Sequence, residues 1–296
     1  MKSNSASKID IFGQITEENE LLRDKFIEPP FSILDTKSGN WQNRVRLWKR
    51  IGIKSEVGRD VKVINNSFSN EKYGRTAKDA MPEAPIFDPA LCEVLYHWFC
   101  PPGGTILDPF AGGSVRGIVA AYLDYKYTGI DIRPEQIASN IEQAQQIVPG
   151  REPNWVCNDS NIALDYFTNN KLLFDIVFSC PPYADLEVYS DLPGDISNMP
   201  YAQFMIFYRS IIKKSCALLK PGGYAVFVVG EVRDKNGNYI GFVPDTIDAF
   251  IDAGVKYYNE AILLNAIASA SMRANGNNMV NKKLVKIHQN ILIFKK

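Results

Sequence analysis

The rhythm of apolar positions changes near residue 80. Beyond it, apolar runs of strand length alternate with stretches whose apolar residues recur at helical spacing, separated by Pro, Gly and Asp clusters. Residues 89–99 predict a helix with Asp88 as its cap and Pro101-Pro102-Gly103-Gly104 as its stop. Residues 105–107 predict a short buried strand ending at Asp108-Pro109-Phe110, followed by a helix over 113–123 and a strand over 126–132. A helix over 135–148 and a third strand over 154–157 come next. An apolar strand over 174–178 runs into Ser179-Cys180-Pro181-Pro182-Tyr183. A long helix over 201–219, closed by Lys220-Pro221-Gly222-Gly223, leads to a fifth strand over 224–229. A helix over 245–253 and two last strands, 256–264 and 289–294, complete the pattern, the strands paired across a long basic loop. This order predicts an α/β fold: a Rossmann-like, doubly wound sheet, mostly parallel, with an antiparallel strand inserted late.

Before residue 80 the periodicity is weak, and aromatics sit among basic and turn residues, as in Pro29-Pro30-Phe31 and the stretch from Trp41 to Arg50. The expected organisation is therefore a basic, aromatic-containing extension over 1–80 and a main domain over 81–296. A length of 296 residues with 46% hydrophobic and 22% charged residues excludes a wholly disordered or fibrous chain. No apolar run approaches the roughly 18 residues that span a bilayer, and the polar start lacks the apolar stretch of a secretory signal. Five scattered cysteines without metal-type spacing fit a reduced, cytoplasmic protein with free thiols. Two histidines, His97 and His288, are too few for a multi-histidine metal centre, so no metal is expected.

Net charge is zero, yet unevenly distributed. Residues 37–78 carry an excess of eight positive charges and residues 271–296 an excess of six. Two basic zones on an acidic body point to a polyanion held on one side. Arg44, Arg46, Lys49 and Arg50, interleaved with Trp41 and Trp48, suit phosphate contact, as do Arg273, Lys282, Lys283 and Lys286 in the late basic loop, and the two tryptophans equally suit a core.

Asp108-Pro109-Phe110-Ala111-Gly112-Gly113-Ser114 follows a strand and opens a helix, where glycines let the backbone turn tightly and approach a ligand. No Lys-Ser/Thr pair follows the glycines, so this is not a Walker loop. Asp108 at the strand tip would repel a pyrophosphate and attract an ammonium, which points to S-adenosylmethionine. Asp131, 23 residues on, ends the second strand and suits a ribose diol. Asn158-Asp159 ends the third, where an acid suits an adenine amine. Phe110, Gly112 and Gly113 complete the expected cofactor-binding set.

The second motif lies at the carboxyl edge too. Two prolines fix two backbone angles and remove two donors, leaving rigid, exposed carbonyls in Ser179-Cys180-Pro181-Pro182-Tyr183. Together with Asp108-Pro109-Phe110-Ala111-Gly112-Gly113, the tetrapeptide Cys180-Pro181-Pro182-Tyr183 resembles the amino-methyltransferases of DNA, which methylate adenine N6 or cytosine N4. The likeness extends through Leu218-Leu219-Lys220-Pro221-Gly222-Gly223 and the closing His288–Lys296 segment and covers about residues 81–296. The first 80 residues resemble segments of methylases of phages and mobile elements. The resemblance implies a methyltransferase sheet, S-adenosylmethionine as donor, DNA as partner, and an everted base as acceptor. It assigns the amine hydrogens to the first tetrapeptide residue and a proline carbonyl, here Pro181, and the stacking ring to Tyr183. Cys180 departs from the Asp, Asn or Ser usual in that family, since a thiol is a weak acceptor. Whether Cys180 or Ser179 meets the amine, and whether adenine or cytosine is the target, therefore stays open. The alternatives are an amino-methyltransferase of RNA and a DNA-binding relic without turnover.

Overall fold

Strands buried on both faces need near-continuous apolar sequence, and Thr105–Asp108 (β4) and Phe174–Ser179 (β7) meet that demand at the centre of an eight-stranded sheet. The computed structural model describes residues 8–9, 15–16, 25–53, 87–183, 190, 192, 194–234, 236–265 and 276–296. They divide into two units, Met1–Phe31 and Ser32–Lys296. The first holds a short antiparallel pair, β1 (Lys8–Ile9) and β2 (Ile15–Thr16).

The second unit runs β3 (Ile33–Asp35), α1 (Gly39–Ile51), α2 (Pro89–Phe99), β4, α3 (Val115–Tyr122), β5 (Lys126–Asp131), α4 (Pro134–Ile147), β6 (Asn154–Cys157) and α5 (Ser160–Asn169). After β7 come α6 (Tyr201–Ala217), β8 (Leu219–Val229), α7 (Phe242–Asp252), β9 (Lys256–Leu264), α8 (Gly276–Val280) and β10 (His288–Lys295). The strand order is β3-β9-β10-β8-β7-β4-β5-β6. β10 lies antiparallel between β8 and β9, and β3 adds in parallel at the β9 edge. This is the expected Rossmann-like sheet. The winding reverses between β4 and β7, and in such sheets ligands bind outside the carboxyl ends of the strands at that switch point.

Most element bounds agree with the apolar pattern to within two or three residues. Lys220-Pro221-Gly222-Gly223, expected as a stop before a strand at 224, instead forms the first part of β8. A register irregularity between Phe174 and Ile176 accommodates it. α5 was not foreseen, because its N-cap signal, Asp159, also reads as a strand-end acid.

β3 and α1 also lay outside the predicted pattern, and the expected boundary near residue 80 falls among residues outside the description. α1 carries its two tryptophans inward. Trp41 and Trp48 are buried, donating through Nε1 to Asp88 Oδ2 at 2.7 Å and Glu93 Oε2 at 2.9 Å on the α2 side. Arg44 meets Glu93 at 2.6 Å. Those acids are capping and surface groups of α2, so α1 is fastened through polar tips of apolar rings. Replacing Trp41 by Phe strands a partly buried Asp88 oxygen, and the expected loss is about 1–3 kcal/mol, read as a lower urea midpoint at unchanged slope.

Candidate active site

The switch point brings the two motifs together. β4 and β7 pair in parallel, Leu107 opposite Val177, so the glycine turn after Asp108 and the diproline turn after Ser179 leave the sheet side by side. Asp108 is wholly buried and its carboxylate faces inward. It accepts from Arg116 Nε at 2.5 Å, Ser179 Oγ at 2.6 Å, Tyr127 Oη at 2.7 Å and the Phe110 N–H at 3.1 Å. Arg116 extends the network by donating through Nη2 to the carbonyls of Phe110 (2.5 Å) and Ala111 (2.8 Å). Burial opposes the guanidinium charge, but Asp108, through charge and hydrogen bond, together with Tyr127 and Cys180 outweighs this and raises the Arg116 pKa. Burial, and then the Asp108 charge, holds Tyr127 protonated, so it serves as a donor.

Asp108 therefore acts inside the protein, and its oxygens are not offered to the crevice as the sequence pattern led one to expect. Ser179 is also fully buried, its hydroxyl donated to Asp108, whereas Cys180 and Pro182 are partly exposed and Pro181 is buried.

The glycine turn is clamped from below. Gly112, at φ +51°, donates its N–H to Asp131 Oδ2 at 3.0 Å and accepts at its carbonyl from Asn140 Nδ2 at 2.7 Å. Gln136 supports Asn140 at 3.0 Å, Arg133 supports Gln136 at 2.7 Å, and Gln143 accepts from Ser114 at 2.8 Å. These polar residues at spacings of three and four on α4 are buried, and their break with amphipathic patterning was the available signal. Gly129 on β5 serves the same turn. A Cβ there would lie 2.6 Å from the Tyr127 ring and 2.9 Å from Ala111.

Asp131 remains partly exposed, with 13% of its side chain accessible. Burial raises its pKa above the ordinary aspartate value, and Arg133 works against that rise. Asn158 is exposed, and Asp159 is the N-cap of α5, accepting from the Asn161 N–H at 2.7 Å. The segment around Gly194 and Asp195 lies over this side: a Cβ on Gly194 would lie 2.7 Å from Asp159 Oδ2 and 3.4 Å from Ile132. Phe110 is partly buried against Tyr208 and Phe227.

On the other side, Tyr183 sits edge-on to Phe242 of α7 at 5.7 Å and accepts from Gln289 Nε2 of β10 at 3.2 Å. Glu231 fixes that helix by accepting from the N–H groups of Gly241 (3.1 Å) and Phe242 (2.8 Å). Arg116, Tyr127, Gln289 and Glu231 all escaped the sequence reading, because each acts through a partner distant in the chain.

Of the basic residues, Arg46, Lys49, Arg50 and Lys282 are exposed and Lys283 partly so, while Arg44 is engaged with Glu93. Arg273 lies outside the described residues. All five cysteines are free thiols. Among the described residues, no helix is long and apolar enough to cross a membrane.

No family model matches the chain, and no curated protein matches it by sequence. Solved structures similar to it include TrmN from Thermus thermophilus, at 14% identity and a TM-score of 0.46 over 71% of this chain and 49% of that one. The chain thus spans about half the length of that protein. Magnesium protoporphyrin IX methyltransferase (ChlM) from Synechocystis PCC 6803, solved with SAM, has 13% identity and a TM-score of 0.45 over 70% of this chain and 79% of its own. The [4+2]-cyclase SpnF has 14% identity and a TM-score of 0.49 over 74% and 85%.

The Asp108–Arg116 pair has a direct test. Arg116→Met leaves a buried carboxylate without its cation, and a loss of about 3–5 kcal/mol is expected in denaturant unfolding. Asp108→Asn in that background restores part of it.

Proposed function

We propose that the chain transfers a methyl group from S-adenosylmethionine to the exocyclic amino group of an everted base in DNA, adenine N6 or cytosine N4. The observation that supports this most is the placement of Cys180-Pro181-Pro182-Tyr183 against the clamped glycine turn at the switch point. A donor site is needed on one side of that crevice and a planar acceptor on the other, and the two turns meet those needs separately.

The residues on the donor side suit S-adenosylmethionine. Asp131 keeps an accessible carboxylate for a ribose diol, and Asn158 and Asp159 stand at the next strand end for an adenine amine. The fixed backbone at Gly112 permits close approach without further ordering. When bound, that donor supplies a methyl group made electrophilic by its sulfonium. The chain's own part is positioning. Ser179 is engaged with Asp108, so the two amine hydrogens fall to Cys180 and the Pro181 carbonyl, which turn the nitrogen lone pair toward the methyl carbon. With the lone pair so aimed, the nitrogen would take the methyl group as its bond to sulfur breaks, and one amine proton would pass to solvent. Tyr183, held by Phe242 and Gln289, supplies an aromatic face to a base that has left its stack. The exposed Arg46, Lys49, Arg50 and Lys282, with Lys283, suit the flanking phosphates.

Mass spectrometry of nucleosides after incubation of DNA and RNA with protein and donor tests the reading. N6-methyladenine or N4-methylcytosine in DNA is expected. Methylation confined to RNA would transfer the reaction to that polymer, and none in either would refute it. Tyr183→Ala should lower methyl transfer by about ten- to a hundred-fold, consistent with the cost of a lost stacking face, whereas Cys180→Ser, a better acceptor of similar size, should retain it.

The raised pKa of Asp131 sets a pH dependence. Its carboxylate takes up a proton at a higher pH than an ordinary aspartate. Affinity for S-adenosylhomocysteine should therefore fall on acidification before the usual aspartate range is reached. Calorimetric titration across pH, with Asp131→Asn as the pH-insensitive comparison, checks the sign.

A further inference from the structure

One element at the catalytic edge has no part in the chemistry above. β8 ends at Val229 beside the end of β7, Ser179 standing opposite Phe227, so the residues that follow leave the sheet next to the diproline turn. Gly230 faces that turn, since a Cβ there would lie 3.5 Å from Tyr183 Oη. The chain then doubles back, with Arg233 and Tyr239 bridged in antiparallel fashion.

The base of this hairpin is fixed. Val232 is buried, Ile240 packs on the core, and Glu231 holds the start of α7. Its tip is ordered by the Asp234 N–H donating to the Asn238 carbonyl at 2.8 Å and the Gly237 N–H donating to the Asp234 carbonyl at 2.9 Å. Both hairpin acids are engaged with backbone donors, Asp234 with the Asn238 N–H at 2.8 Å. Arg233 donates to the Gly237 carbonyl at 2.7 Å, and its guanidinium lies 4.0 Å from the Tyr239 ring centre. Tyr239 is still 49% exposed. Lys283, from the separate basic segment before β10, rests its ammonium against Gly237.

We propose that this hairpin is a second contact for the nucleic-acid strand, with Tyr239 stacking on an unpaired base beside the everted one and Arg233 and Lys283 meeting the adjoining phosphates. The inference rests on the reading that the substrate is DNA. An aromatic ring with a cation fixed against it is already ordered, so binding forgoes most of the side-chain entropy loss. A stacking face of this kind tolerates any base. The hairpin touches Tyr183's side at Gly230 and Lys283 at Gly237, and so links features far apart in the sequence.

Fluorescence anisotropy with end-labelled, mixed-sequence single-stranded DNA tests it, alongside calorimetric binding of S-adenosylhomocysteine. Tyr239→Ala should weaken DNA binding by about tenfold, and Tyr239→Phe should leave it near wild type. Arg233→Gln should lower the salt dependence by about one charge. All three should keep wild-type affinity for S-adenosylhomocysteine. Undiminished DNA binding by Tyr239→Ala would overturn the hairpin's role while leaving the proposed reaction standing. If Tyr239→Ala loses S-adenosylhomocysteine as well, Tyr239→Leu decides in its place, and its undiminished DNA binding would overturn the role. Failure of the wild-type protein to retain this DNA or duplex DNA would overturn both proposals.

Discussion

A carboxylate and a guanidinium sealed beneath the carboxyl edge of the sheet hold its two turns in register. Separately, Asp108 and Arg116 would each be costly to desolvate. Together they are compensated because Asp108 accepts further hydrogen bonds and Arg116 donates to two backbone carbonyls besides. Asp108 also receives hydroxyls from β5 and β7, through Tyr127 and Ser179. Arg116 reaches back from α3 to the carbonyls of the glycine turn. One buried charge pair thus ties three strands, a helix and a turn to a common point. The turn and the tetrapeptide inherit their relative placement from it.

Around that point the two halves of the crevice are supported differently. The glycine side rests on polar groups, Asp131 above and the Asn140-Gln136-Arg133 chain below, which fix backbone direction. The tyrosine side rests on packing, with Phe242 edge-on to Tyr183, Phe204 and Tyr208 tilted against Phe242 behind it, and a hydrogen bond from Gln289. Directional bonds suit a ligand recognised by hydroxyls and amines, and a packed ring suits a flat one recognised by its face.

The chain announces what local physics decides and conceals what distant partners decide. The central strands were legible because burial on both faces demands unbroken apolar runs, and α2 because Asp88 and Pro89 mark its start. The carboxyl-edge location of both motifs followed from the strands that precede them, and the switch point between them from the observed strand order. The role of Asp108 did not, because its fate depends on Arg116, eight residues away on a helix that looks ordinary in sequence. Likewise the tryptophans of α1 read as core rings or as packing beside a polyanion, and the core reading holds, while their acceptors, Asp88 and Glu93, stayed hidden because they lie more than forty residues further along. Asp159 had two compatible readings, and its capping bond to Asn161 is visible only in three dimensions.

The position of β10 has a consequence for how the molecule is assembled. It fills the gap between β8 and β9 although it follows both in the chain. Until it arrives, the sheet has two open, hydrogen-bond-hungry borders, and closing them requires a long-range return that is intrinsically slow. The same strand carries Gln289, so the tyrosine wall of the crevice gains its last support only in that closing step. Completion of the sheet and support of Tyr183 thus depend on the same strand.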